Sequence, residues 1–106
     1  MKNNKVYGLL GLCTKAGKIV FGTDSCLEMI LKKKVKLIIV AKDSSERTIN
    51  NFQDKCKENN IDFYIYGSKE EISNAIGKIN KTVVGIKDKN FAEAIKKILN
   101  GGDVIG

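Results

Sequence analysis

The run VKLIIVA, residues 35–41, constrains this chain more than any other segment. Its apolar residues are nearly continuous, broken only by Lys36. That pattern suits a strand covered on both faces, because a half-exposed strand would alternate apolar with polar. The flanking sequence offers the cover. Val6, Leu9, Leu10 and Cys13 recur at helical spacing, and Gly17 is placed to stop that helix. KIVF, residues 18–21, reads as a short strand. Leu27, Ile30 and Leu31 mark a second helix that ends in Lys32, Lys33 and Lys34, cations suited to the negative end of a helix dipole.

The second half repeats the logic. Ile49, Phe52 and Cys56 give a third helix, closed near Asn59 and Asn60, with Asp43 and Glu46 in the spacing of an N-cap and its partner. IDFYIY, residues 61–66, is a strand. Ser68 with Glu71 reads as a capping box for a fourth helix that carries Ile72, Ala75 and Ile76 and stops at Gly77. TVVGI, residues 82–86, is the last strand. Asn90 with Glu93 opens a fifth helix bearing Phe91, Ile95, Ile98 and Leu99, and Asn100-Gly101-Gly102 ends it. Helices alternating with strands predict an α/β chain, with a sheet of about four strands between helical layers.

With 106 residues there is room for one domain and one core, so residues 1–106 are read as a single unit. No apolar run approaches the ~20 residues of a membrane span. The basic N-terminus lacks a secretory cleavage pattern. A cytoplasmic protein is expected. Cys13, Cys26 and Cys56 are odd in number and form no CxxC pair, so neither zinc nor thioredoxin-like chemistry is indicated. Cys13 and Cys56 fall on apolar helical faces and read as buried small hydrophobes. Cys26 falls in a first helical turn, where a thiol can be acidified.

Charge points to the partner. Nineteen Lys and Arg stand against twelve Asp and Glu, a net charge of +7, and Arg47 is the one arginine. A small domain this basic suits a polyanion, and equally a chain whose lysines form solvated faces, so composition alone does not choose between the two. A nucleotide loop is excluded by spacing: Gly11 and Gly17-Lys18 are separated by five residues rather than four, and Ile19 stands where a hydroxyl would hold magnesium. The chain has no His, which leaves acid–base chemistry to carboxylates or lysines, and no catalytic or metal-binding set emerges. The turn Gly22-Thr23-Asp24-Ser25 offers another route to an anion. Gly22 lets backbone approach a partner. The free amides of the next helical turn can hold a phosphate or base edge without any catalytic residue. Lys15 and Lys18 lie just upstream, while Ser25 with Glu28 has the spacing of an ordinary capping box.

Three segments, in this order, resemble one family. They are LLGLCTKAGKIVFGTDSCLEMI, KLIIVAKDSSERT and CKENNIDFYIYGSKEEISNAIGK. The chain resembles the bacterial branch of the kink-turn-binding ribosomal proteins, the L-seven-Ae superfamily, over about residues 5 to 99. The resemblance implies a three-layer α/β/α sandwich with a mixed sheet and no enzymatic activity or cofactor. It implies a protein that binds structured RNA, such as ribosomal RNA or the ribosome; a monomer with no membrane partner is expected. The second helix is expected to meet a kink-turn through its N-terminus. By position, Gly22 and Thr23 match the family's Gly-Thr. Asp24 takes its Asn position, Ser25 its Glu position and Glu28 its Lys position. Lys18 and Lys15 are expected near the same surface. Lys42 follows the central strand, and the loop Tyr66-Gly67-Ser68-Lys69 matches the one that covers bases exposed by the bend. A protein–protein adaptor on the same sandwich is the alternative, and a small enzyme or phosphotransfer domain using Cys26 is the third reading.

Overall fold

The computed structural model describes residues 4–101. Its elements alternate as the sequence suggests: α1 (Lys5–Lys15), β1 (Ile19–Phe21), α2 (Thr23–Leu31), β2 (Leu37–Val40), α3 (Glu46–Glu58), β3 (Asp62–Ile65), α4 (Lys69–Ile76), β4 (Val83–Ile86) and α5 (Lys89–Leu99). The sheet order is β1-β4-β2-β3. β2 runs parallel to β3, and β4 runs antiparallel to both β1 and β2, so the sheet is mixed.

The apolar run of 35–41 occupies the middle of the sheet, and its pleat divides it between two cores. Leu37, Ile39 and Ala41 join Val6, Leu10 and Cys13 of α1, Ile72 and Ile76 of α4, and Ala92 and Ile95 of α5. Ile38 and Val40 face the other way, joined by Val35 ahead of the strand, against Cys26 and Ile30 of α2 and Phe52 and Cys56 of α3. Burial on both faces explains why β2 has no polar alternation. The result is the expected three-layer sandwich, with α1, α4 and α5 on one side and α2 and α3 on the other. No helix among the described residues is long and apolar enough to cross a membrane.

Three helix starts differ from the sequence reading. Ser45, not Asp43, caps α3 by accepting from the Thr48 amide at 3.1 Å. Asp88, not Asn90, caps α5 by accepting from the Phe91 amide at 2.9 Å. α2 begins at Thr23, so Ser25 lies inside its first turn and forms no capping box with Glu28. Several Ser, Asp and Asn residues stand at capping distance in each case, and tertiary contacts decide between them. Asp43, for example, is drawn off to the Lys69 amide at 2.8 Å. The α4 capping box of Ser68 with Glu71 forms as read. Asn100 is the C-cap of α5, while Gly102 of the expected terminator lies outside the described residues.

Candidate nucleic-acid interface

One end of the sheet gathers the C-terminal ends of β1, β2 and β3 and the start of β4, since Phe21 pairs with Val84 and Val40 with both Val83 and Ile65. Gly22, Lys42, the 66–69 loop and the 78–81 turn all emerge there. Open α/β sheets commonly bind ligands at the carboxyl ends of their strands.

The α2 N-terminus is the most distinctive feature of this end. Gly22 is its N-cap, with φ 92° and ψ 152°, a region of backbone space that is essentially glycine-only. Its amide donates to Val83 O at 3.0 Å and its carbonyl accepts from the Cys26 amide at 3.0 Å. No side chain caps the helix. The first-turn amides of Thr23, Asp24 and Ser25 therefore lack an intrahelical partner, and all three residues are exposed. Unsatisfied donors at the positive end of a helix dipole favour an anion or a base acceptor. Ionised Asp24 adds acceptors only.

A lysine turn that sequence reasoning missed stands beside this helix start. Lys78 Nζ lies 5.0 Å and Lys81 Nζ 5.6 Å from the centre of the Phe21 ring. A Cβ on Gly22 would sit 3.9 Å from Lys81 Nζ. The turn is pinned from below by Ser73, a buried polar residue of α4. The Lys81 amide donates to Ser73 Oγ at 2.8 Å, and that hydroxyl donates to Lys81 O at 3.1 Å. Ile79, at the tip, is 79 % exposed. The sequence signal was the segment KINK after the Gly77 stop, two cations around an apolar residue in a turn. Its proximity to Gly22 is a tertiary fact.

The 66–69 loop is held mostly for structural ends. Tyr66 Oη accepts from Asn4 Nδ2 at 2.8 Å, and its ring tilts against Tyr7 with centroids 5.7 Å apart. Gly67 is buried with φ 73°, and a Cβ there would meet Tyr7 Oη at 2.5 Å. Ser68 is spent on the α4 cap. Tyr7 Oη donates to Glu71 Oε1 at 2.8 Å. Burial and that carboxylate push the Tyr7 hydroxyl well above its ordinary range, and the same hydrogen bond holds the Glu71 carboxyl below its own. The Lys42 amide donates to Gly67 O at 2.7 Å. Lys42 and Lys69 thus emerge side by side, both exposed.

Three expected residues lie elsewhere. The Lys18 carbonyl accepts from the Lys87 amide at 2.8 Å, beyond the Ile19–Ile86 pair, so Lys18 sits at the opposite end of the sheet. Lys15 ends α1 beside it. Glu28 lies further along α2 and pairs with Lys32 at 2.8 Å on the open surface, which holds its carboxyl below the usual range. Cys26 is fully buried, with Sγ 3.8 Å from Val20 O, and burial pushes its thiol up to about 12. Desolvation here outweighs the helix dipole, so the expectation of an acidified thiol is corrected.

The fold and the glycine-led helix start agree with a single family. Residues 4–96 match the ribosomal protein L7Ae/L30e/S12e/Gadd45 family. The chain belongs to this family. Among similar proteins is the RNA-binding protein YlxQ of Enterococcus faecium, 35 % identical over 97 residues that cover 92 % of this chain and 93 % of that protein. RNA-binding protein YlxQ of Bacillus subtilis is 29 % identical over 100 residues, covering 94 % of this chain and 100 % of its own length. A solved structure of a protein of unknown function from Bacillus halodurans superposes with a TM-score of 0.90 at 26 % identity, covering 92 % of this chain and 99 % of the other. Both the bacterial relatives and the family description bear out the resemblance read from the three segments.

Proposed function

We propose that this protein is a non-catalytic, cytoplasmic RNA-binding protein, monomeric and ribosome-associated. In this reading it grips a kink-turn or related structured RNA at the N-terminus of α2. The observation that carries the reading is the uncapped helix start at Gly22, set at one sheet end with Lys42, Lys69, Lys78 and Lys81. The YlxQ relatives are named RNA-binding proteins, which supports the same partner class.

The division of labour follows from the chemistry. The amides of Thr23 to Ser25 meet phosphate or base acceptors. Lys42, Lys69, Lys78 and Lys81 neutralise the backbone around them, and Ile79 and Phe21 supply apolar surface for an unstacked base. Ionised Asp24, in the same first turn, offers acceptors only and sets a negative charge beside the RNA, so the amides and lysines rather than this carboxylate supply the attraction. Tyr66, Gly67 and Ser68 act by holding Lys69 in place rather than by touching RNA.

An electrophoretic assay with a kink-turn RNA and a straight duplex of equal length tests the proposal. Selective binding of the kink-turn, weakening steeply as salt rises, is the expected result. Equal weak binding to both RNAs would leave only net charge, and no binding to either would favour a protein–protein adaptor.

A further inference from the structure

Lys15 and Lys18, displaced from the α2 end, belong to a second basic surface. They flank the turn from α1 into β1, at the far end of the sheet. Lys33, Lys34 and Lys36 occupy the connection from α2 to β2 at that same end, and Lys87 and Lys89 flank Asp88 between β4 and α5. Backbone hydrogen bonds join the three connections: the Lys36 amide donates to Ile86 O at 2.7 Å and the Lys87 amide to Lys18 O at 2.8 Å.

All seven lysines are exposed, and among the described residues none of them forms an ion pair. The carboxylates nearby are already engaged. Asp88 caps α5, Asp62 holds Lys96 at 2.6 Å, and Glu58 lies 3.7 Å from Lys55. Seven lysines therefore face the single unpaired carboxylate of Asp88, which leaves this end with a net positive charge.

Distance separates this surface from the α2 end. Lys36 and Ala41 bracket β2, and five steps of ~3.3 Å place about 16 Å between the two sheet ends. That is roughly two Debye lengths, ~8 Å each at physiological ionic strength, so each end attracts its own counter-charge.

The residue types select the ligand. The three turns themselves carry neither aromatic side chains nor Asn or Gln; the amides nearest them are Asn90 at the start of α5 and Asn59 and Asn60 after α3, of which Asn59 is committed to Lys55 O, so lysines dominate the surface. Lysine is a point charge suited to phosphate. Val35, the one large apolar residue in these turns, is 3 % exposed, and the apolar side chains exposed beside them, Leu12 and Leu31, are single residues on separate helices, which is too little to anchor a bilayer and favours a nucleic-acid backbone over a lipid surface.

We propose that this far end binds the phosphate backbone of a second RNA segment without reading its sequence, so that the protein bridges two RNA elements. The bridging rests on the RNA-binding reading of the α2 end; the phosphate binding at the far end does not.

The test compares the full chain with two variants of equal net charge. One carries Lys18→Gln, Lys34→Gln, Lys36→Gln and Lys87→Gln. The other carries Lys42→Gln, Lys69→Gln, Lys78→Gln and Lys81→Gln. Thermal unfolding first verifies that both are folded. The probe is a labelled straight RNA duplex, titrated alone and after saturation with a short unlabelled kink-turn RNA. The saturated wild-type protein is expected to take up the duplex as a ternary complex. The far-end variant should lose at least tenfold in duplex affinity, with a salt slope shallower by up to ~3.6, at ~0.9 for each phosphate contact removed. It should keep its kink-turn affinity, and the α2-end variant should keep most of its duplex affinity. Equal losses in the two variants would overturn the proposal, as would displacement of the duplex by a single equivalent of kink-turn RNA, or binding of phosphatidylserine vesicles but not duplex. If no kink-turn selectivity exists, the duplex-only comparison still decides the far-end site, so the two readings fail separately.

Discussion

Lys81 holds its ammonium 5.6 Å from the centre of the Phe21 ring, although the two residues lie sixty positions apart. The contact joins the turn before β4 to the end of β1, and Gly22 follows directly. A cation over an aromatic face contributes ~0.5–1 kcal/mol at an exposed site. Its larger consequence is positional: it fixes a positive charge beside the open amides of α2.

Lys81→Gln is therefore expected to weaken RNA binding more than Lys97→Gln, which removes the same charge from α5. The salt slope should fall by about 1 for Lys81→Gln if its ammonium neutralises one phosphate. Fluorescence anisotropy with a short kink-turn RNA across a salt series gives both numbers. Equal effects of the two substitutions would mean that net charge alone attracts RNA.

Gly22→Ala forces a side chain onto a backbone at φ 92° and ψ 152°. A cost of ~1–3 kcal/mol is expected, seen as a drop of several degrees or more in Tm. RNA affinity should fall further than the folded fraction does. Asp24→Asn separates charge from backbone. Asp24 lies in the first turn of α2, where a carboxylate favours the helix dipole, so its loss should cost about 0.3–1 kcal/mol. Kink-turn affinity should hold or rise, since a negative charge leaves the RNA surface. Abolished binding by a folded Asp24→Asn protein would instead identify the carboxylate as a reader of guanine donors.

Gly67→Ala meets both a positive φ of 73° and the Tyr7 hydroxyl at 2.5 Å. Destabilisation above ~2 kcal/mol is expected from strain and clash together. Adding Tyr7→Phe removes the clashing oxygen but not the strain, so part of the loss should return. A double-mutant cycle by urea unfolding measures this coupling. Additive losses would show that the Tyr7–Gly67 contact is not the source.

Glu71 has a folded-state pKa depressed below its reference of 4.5, first by the Tyr7 hydroxyl and then by the Ser68 amide. A depressed carboxylate stabilises the fold above its unfolded pKa, and that contribution is lost as pH falls through the folded value. Glu71→Gln should therefore be less stable than wild type at neutral pH, with the gap closing below about pH 4.5. Parallel Tm curves for the two proteins between pH 3 and pH 7, on the order of that window, would contradict the assignment.

Native-state thiol labelling provides a fifth measurement. Cys13, Cys26 and Cys56 are all buried, and burial raises the thiols of Cys26 and Cys56 to about 12 and that of Cys13 to about 11. All three should react with a disulfide reagent only at the rate of unfolding. Rapid labelling of Cys26 in the folded protein would revive a nucleophilic role for it.

The sequence by itself determined the element order, the double burial of β2 and the three-layer architecture. Each of these depends on apolar periodicity, which is local and survives in one dimension. It also placed the Gly22 turn at a helix start, because a glycine between a strand and an amphipathic run has few other uses. Only the tertiary structure decided which lysines share a surface. Lys18 and Gly22 are four residues apart, yet β1 runs between them and carries them to opposite ends of the sheet. Lys81 is far from Gly22 in sequence and beside it in space, because the antiparallel β1–β4 pairing brings the start of one strand to the end of the other. The same distinction separates Cys26's position from its chemistry: its place in α2 was legible, but its burial against Val20 and Val83 exists only once the sheet forms. Charge and reactivity depend on neighbours and solvent access, and both are settled by packing rather than by order along the chain.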